Sequence, residues 1–125
     1  MSRYKRIQTQ ITDRGCLVQA LEVAGLPFEE GQALTLRGYA GQSATAEFVI
    51  RKQHVHSFGD LGFHLVDGQY EAIVDDMDRR GQEIVRQVQR QYAVAKVTKE
   101  AKAKGYTVVP RKAEGDVIRL QLRRY

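Results

Sequence analysis

The hydrophobic period of this sequence changes after Asp78, and the change limits the fold classes open to the chain. Before Asp78, apolar residues mostly alternate with polar ones, as they do in half-buried β-strands. After Asp78, they recur every three to four positions, which predicts a long helix running to Lys104 and ending at Gly105. The apolar face of this predicted helix consists of Ile84 or Val85, Val88, Tyr92 and Ala95. Strands followed by a long helix indicate an α+β domain.

A shorter helix is predicted near the N-terminus, after a first strand from Tyr4 to Ile11. Thr12 or Asp13 can cap its start, and Gly25 can end it. Four apolar residues recur at the i, i+3, i+4, i+7 spacing of one buried helix face: Leu17, Ala20, Leu21 and Ala24. The pattern therefore predicts an amphipathic helix between Asp13 and Gly25.

The remaining segments predict strands joined by turns. After a loop from Pro27 to Gln32, a second strand is predicted to start at Leu34-Thr35-Leu36 and to end at the glycine turn that follows. Further strands are predicted at Ala44–Arg51, Phe63–Val66, Tyr70–Val74, Tyr106–Pro110 and Val117–Arg123. One face of the Ala44–Arg51 strand is expected to consist of Ala44, Ala46, Phe48 and Ile50. Asp67-Gly68 suits a tight type I′ hairpin turn. We therefore expect an α+β fold with a largely antiparallel sheet of about five to seven strands and two helices, the second long, packed on one face.

Length and composition predict a single domain over residues 1–125. No apolar run reaches the roughly 18 residues of a membrane span. The basic N-terminus is not followed by an apolar segment, so it does not resemble a secretory signal. Cys16 is the only cysteine, which excludes an internal disulfide. We expect a cytoplasmic protein without a membrane contact or a cofactor.

The glycine-containing stretch from Arg37 to Gln42 allows two interpretations. It lacks the Gly-Lys-Ser/Thr end of a phosphate-binding P-loop, and apparent strands flank it instead of a strand and a helix. The paired glycines also resemble the clamp of KH domains, but that clamp joins two helices. The stretch is therefore predicted to be a structural turn. The alternative is a contact loop that uses Arg37, Tyr39 and Gln42.

Three histidines are candidate metal ligands. His54 and His56 would share a face if their segment were extended, and His64 on the next strand could approach them. Zinc and copper accept such imidazole groups. A turn at residues 57–59 and the lack of an obvious fourth ligand other than Asp60 favour ordinary surface histidines. Cys16 is expected to be packed and inert rather than nucleophilic, and the acidic cluster around Asp76 is expected to be solvated or to cap the long helix.

Charge is strongly segregated along the chain. Residues 60–78 contain six acidic residues and neither Lys nor Arg, whereas residues 79–104 contain eight basic residues and two acidic ones. The predicted long helix carries candidate binding residues for a protein partner or for nucleic acid, namely Arg79, Arg80, Arg86, Arg90, Lys96 and Lys99. Such segregation steers a protein toward a charged partner.

Several motifs in order resemble one small family of unknown function. The motifs are Asp13 with Leu17 and Ala20-Leu21, Arg37-Gly38-Tyr39 with Gly41-Gln42, Asp60-Leu61-Gly62-Phe63, and Gln91-Tyr92-Ala93 ahead of Gly105-Tyr106. The chain resembles the hypothetical chloroplast reading-frame family of cyanobacteria and red algal plastids, which has distant bacterial versions encoded beside AAA+ ATPases. The resemblance implies a small accessory component, located in the plastid stroma in algae. It implies no catalytic residue.

We therefore expect a non-enzymatic adaptor or interaction module that works with an AAA+ ATPase or a similar macromolecular partner. The alternatives are an RNA- or DNA-binding protein that uses the basic helix face, and a small metal-dependent enzyme that uses the three histidines. An exposed strand at a sheet edge could also pair with a second copy to form a homodimer.

Overall fold

The computed structural model describes residues 3–38, 41, 43–110 and 120–124, with the side chains of 108–110 and 120–124 excepted. In chain order the elements are β1 (Tyr4–Gln8), α1 (Arg14–Val23), β2 (Glu29–Arg37), β3 (Ser43–Ile50), α2 (Lys52–Val55), β4 (Leu61–Val66), β5 (Gln69–Asp75), α3 (Arg79–Ala103), β6 (Tyr106–Pro110) and β7 (Leu120–Arg124). The protein is an α+β fold, as the change of period predicts.

Five strands form one antiparallel sheet in the order β1-β5-β4-β3-β2. Strands β6 and β7 form a separate two-stranded sheet, so the main sheet has the smallest predicted number of strands. Helix α3 has 25 residues and is about 37 Å long, whereas the seven residues of β5 span about 24 Å. We attribute the separation to this difference, because α3 carries the chain beyond the main sheet before β6 begins. Of the predicted last strand, residues 117–119 lie outside the described residues.

Helices α1 and α3 pack on one face of the main sheet, as predicted. Their apolar stripes join residues of β3, β4 and β5, including Phe48, Phe63 and Val74, in the main core. The described chain has a third helix that the sequence pattern did not predict, the one-turn α2.

A second, smaller core lies on the opposite face of the sheet. Val74 belongs to the main core and its neighbour Ile73 to the second one, and successive strand residues point to opposite faces. The fully buried members of the second core are Leu36, Ala46, Val49 and Ile73. The sheet is therefore buried on both faces along its centre.

The prediction that Ala44, Ala46, Phe48 and Ile50 form one face of β3 was wrong. Phe48 and Ile50 lie in the main core, but Ala46 lies in the second core and Ala44 packs against it. The change of face between Ala46 and Phe48 coincides with an irregularity in the β2–β3 pairing, where Glu30 pairs with Phe48 while Leu34 pairs with Ala46. A regular alternation along β3 therefore does not hold across this point. The predicted loop from Pro27 to Gln32 is likewise corrected, because β2 already begins at Glu29.

Turns and helix ends follow the predictions closely. Asp67 and Gly68 both have positive φ angles, 51° and 81°, as a type I′ turn requires. Gly25 and Gly105 follow α1 and α3 with φ angles of 69° and 82°, the left-handed conformation that ends helices.

Candidate functional site

The start of α3 is fixed by the buried carboxylate of Asp78. Its Oδ1 accepts a hydrogen bond from the backbone N–H of Gly81 at 2.9 Å, which caps the helix. Its Oδ2 accepts one from the backbone N–H of Phe58 at 3.0 Å. The loop before β4 is thereby held against the beginning of α3, and Phe58 is placed close to the residues around Asp78.

Two large apolar side chains are exposed at this junction. Phe58 is 58% exposed and Met77 is 61% exposed. Arg79 and Arg80 follow directly on the first turn of α3 and are also exposed. The Arg80 side chain donates from Nε to the backbone oxygen of Val55 at 3.3 Å, so it lies against the end of α2, where this loop begins. Phe, Met and Arg are enriched in protein–protein interfaces, so this composition is typical of an interaction surface.

The arginines continue along the outer face of α3. Arg86 and Arg90 follow Arg79 by seven and eleven residues, spacings that place all three on one side of a helix. The opposite side of α3 contains the buried residues Ile84, Val85, Val88, Tyr92 and Ala95. Glu83 is exposed near these arginines. We define the α3 surface as Phe58, Met77, Arg79, Arg80, Arg86 and Arg90.

Lys96 and Lys99 do not belong to this outer face. Lys99 Nζ lies 2.5 Å from Asp13 Oδ2, and Lys96 Nζ lies 3.7 Å from the same oxygen. Asp13 also caps α1 by accepting from the backbone N–H of Cys16 at 3.1 Å. The hydrogen bond from Lys99, followed by the one from Cys16, lowers the pKa of Asp13 to about 2. These two lysines therefore join α3 to the start of α1.

Tyr92, in the apolar stripe of α3, also joins α3 to the start of α1. The Tyr92 hydroxyl accepts hydrogen bonds from the backbone N–H groups of Thr12 and Asp13, both at 3.1 Å. It therefore satisfies two amides just before α1 that would otherwise need water.

The glycine-containing stretch lies between two antiparallel strands, β2 and β3. Arg37 at the end of β2 pairs with Ser43 at the start of β3, and Gly41 between them has a φ angle of 79°. Arg37 is exposed. Its backbone N–H donates to Asp60 Oδ2 at 2.9 Å. The other two predicted contact residues of this turn, Tyr39 and Gln42, lie outside the described residues.

The three histidines lie in different elements and surroundings. His54 lies on α2 and His56 is its left-handed C-cap, with both side chains exposed, so their segment is helical and not extended. His64 Nδ1 lies 2.8 Å from Glu47 Oε2. Within the described residues, no group of three or more His, Cys, Asp or Glu side chains is placed to hold a metal ion.

Cys16 and the acidic cluster have structural surroundings. Cys16 is buried in the main core, and this burial is the main reason for the raised pKa of its thiol. Asp75 Oδ1 accepts from the backbone N–H of Met77 at 2.8 Å, and Asp76 Oδ1 accepts from that of Arg3 at 3.0 Å. Carboxylates that bind backbone N–H groups organise the turn before α3.

A family model described as a protein of unknown function, DUF1257, matches residues 20–120. The chain belongs to the DUF1257 family. The matched range contains the whole α3 surface and the glycine turn. Comparison of this DUF1257 chain with curated proteins and with solved structures found no match.

Sequence reasoning missed Phe58 and Met77 in this DUF1257 chain. Both side chains lie in short segments between elements, where no hydrophobic period exists to show whether an apolar residue is buried. A large apolar residue next to Gly59 or between two aspartates was the available signal, because such positions rarely belong to a core stripe.

Among the described residues, none of the helices is long and apolar enough to cross a bilayer.

Proposed function

We propose that this DUF1257 protein is a non-enzymatic interaction module that binds an acidic protein partner through the α3 surface. The observation that carries the proposal is the exposure of Phe58 and Met77 beside a row of arginines. Apolar anchors of this size provide binding energy when a partner covers them. The surrounding guanidinium groups select a partner with carboxylates and orient it.

The surface is prepared for binding because its backbone is already fixed. The Asp78 carboxylate holds both the Phe58 backbone and the first turn of α3. Preorganised surfaces lose less conformational entropy on binding than mobile ones do. The partner class follows from charge, since Arg79, Arg80 and Arg86 are exposed here and Glu83 is the one exposed carboxylate among the described residues of this region. The neighbouring Asp76 and Asp78 already accept hydrogen bonds from backbone N–H groups.

An AAA+ ATPase is the partner class that we propose to test first. The support is the resemblance of the sequence motifs to proteins whose bacterial versions are encoded beside such ATPases. In this role the protein is an accessory component of the ATPase, in the cytoplasm or in a plastid stroma.

The proposal can be tested by affinity capture with the full chain at physiological salt, with and without nuclease. Captured ATPases are purified and titrated against wild type, Phe58→Ala/Met77→Ala and Arg79→Glu/Arg86→Glu. Each double variant is expected to weaken binding at least about tenfold, as loss of central interface residues does. The side chains are exposed, so the variants should keep the wild-type circular dichroism spectrum and urea midpoint.

The matched control for charge reversal is Lys5→Glu/Lys102→Glu. Both lysines are exposed, and neither lies on the α3 surface. The control has the same net charge as the arginine variant, so equal weakening by both would indicate a nonspecific charge effect. Partner binding that survives all α3-surface variants would refute the proposed interface.

Nucleic-acid binding is the second candidate, favoured by the alignment of Arg79, Arg86 and Arg90 on one helix face. Arginines so aligned can contact phosphates along a backbone. In this case affinity should fall steeply with salt concentration, nuclease should abolish capture, and Phe58→Ala/Met77→Ala should bind almost like wild type. Those three results together would show that the partner is nucleic acid and not a protein.

A further inference from the structure

A polar cavity lies where the end of β2 meets the start of α2. Its volume is about 440 Å³, within the range of roughly 300 to 1,000 Å³ that small-molecule sites occupy. It shares no residue with the α3 surface. The cavity is lined by Thr35, Arg37, Arg51, Lys52, Gln53 and Asp60.

The carboxylate of Asp60 organises this cavity. Asp60 is only 3% exposed. Its Oδ2 accepts from the backbone N–H of Arg37 and from Arg51 Nη1, both at 2.9 Å, and its Oδ1 accepts from the backbone N–H of Lys52 at 2.9 Å. One buried side chain therefore fixes the backbone of two cationic residues that are far apart in sequence.

Arg51 is committed to structural contacts. Its Nε and Nη2 donate to the two carboxylate oxygens of Glu29 at 2.7 and 3.0 Å. Its Nη1 donates to the backbone oxygen of Thr35 at 2.7 Å as well as to Asp60. The hydrogen bonds to Glu29 are the main reason for the raised pKa of Arg51. Arg51 thus adds a fixed positive charge to the wall of the cavity.

Arg37 and Lys52 are the other two cationic side chains that line the cavity. Both side chains are exposed. Among the residues that the structure describes, no carboxylate pairs with either of them. Three cations are therefore opposed by two carboxylates, those of Asp60 and Glu29, and both carboxylates are already occupied by Arg51. The cavity has an excess of positive charge and of hydrogen-bond donors.

We infer that this cavity binds a small phosphate-bearing molecule, with Arg37 and Lys52 as the residues that contact the phosphate. A guanidinium fork and an ammonium group are the side chains that most often bind phosphate. Thr35 and Gln53 add a hydroxyl and an amide for the rest of the ligand. The cavity is larger than one phosphate group needs, which favours a molecule with a second phosphate or a polar substituent.

The test is a calorimetric titration of the full chain with inorganic phosphate, pyrophosphate and citrate in a phosphate-free buffer of low ionic strength. Saturable binding of one pyrophosphate is expected, tighter than that of phosphate. Arg37→Ala/Lys52→Ala should weaken pyrophosphate binding at least about tenfold, because two charge-assisted hydrogen bonds are lost. The backbone N–H groups that bind Asp60 remain in this variant, so its fold should be retained.

Lys5→Ala/Lys102→Ala is the matched control, because it removes the same charge from exposed positions outside the cavity. Equal loss in the control and in the cavity variant would overturn the assignment. So would tighter binding of citrate than of pyrophosphate, or no saturable pyrophosphate binding up to about 10 mM, a concentration that corresponds to negligible affinity. None of these results depends on the α3 surface.

Discussion

At the scale of single residues, aspartates organise this protein through backbone hydrogen bonds. Asp13 and Asp78 cap α1 and α3, and Asp60 joins the end of β2 to the start of α2. The two caps could be predicted, because a cap acts on residues two or three positions later in the sequence. The role of Asp60 could not, because its donor Arg37 is 23 residues away.

Asp13 provides the prediction at this scale. Its folded pKa of about 2 is below the ordinary value of 3.8, so ionised Asp13 stabilises the fold above about pH 4. This stabilisation is expected to disappear as the pH falls from about 4 to about 2. In urea unfolding over this range, the difference in free energy between wild type and Asp13→Asn should shrink as the pH falls, because the Asn side chain does not titrate.

The partner residue gives an independent check on Asp13. Lys99→Met should raise the pKa of Asp13 measured by carboxyl-carbon NMR, because the Lys99 hydrogen bond is the largest cause of the lowered value. Lys102→Met is the matched control on the same helix. An Asp13 that titrates near pH 3.8 in the wild-type protein would contradict the contact between the helices.

At the scale of elements, α3 shows how close packing can oppose helix propensity. Gly81 lies in the first turn of α3, where alanine would normally be the better helix former. A Cβ atom there would lie 2.7 Å from Asp78 Oδ2 and 2.8 Å from Val74 Cγ2. The helix start therefore packs tightly against β5 and its own cap, and no periodicity in the sequence indicates this contact.

Gly81→Ala is accordingly expected to destabilise the protein by about 1 to 3 kcal/mol in urea unfolding, because the added methyl group displaces packed atoms. Gly15→Ala is the control in α1, where the added Cβ would meet only Asp13 Oδ1 at 3.4 Å. There we expect a gain of about 0.5 kcal/mol from helix propensity. Stabilisation by both changes would show that the start of α3 has room for a side chain.

At the scale of the whole molecule, the sheet is buried on both faces, although helices α1 and α3 cover only one. The second core is formed by Leu36, Ala46, Val49 and Ile73, and each of them is fully buried. Gly62 allows this packing, because a Cβ atom at that position would lie 2.8 Å from Leu36 Cδ2 and 2.9 Å from Ala46 Cβ. The second core therefore depends on a close approach between β2, β3 and β4.

Two valines test whether both cores support stability. Val74 lies in the main core and Val49 in the second one, and both are fully buried. Replacement of either by alanine should reduce the free energy of unfolding by about 1.5 to 3 kcal/mol. Val23→Ala, at a position that is 62% exposed on α1, should change it by less than about 0.5 kcal/mol. A near-zero effect of Val49→Ala would show that the second face contributes little.

The sequence by itself determined the α+β class, the caps and glycine ends of α1 and α3, and the Asp67-Gly68 hairpin. Each of these depends on residues within one turn of helix or one pair of strands, so the local pattern contains the cause. The tertiary structure decided the facing of β3, the second core, the pairing of Lys96 and Lys99 with Asp13, and the cavity around Asp60. These features depend on residues from distant parts of the chain that come into contact only in the folded protein. Strand register and helix packing decide which residues meet, and the local spacing of residues in the sequence indicates neither of them.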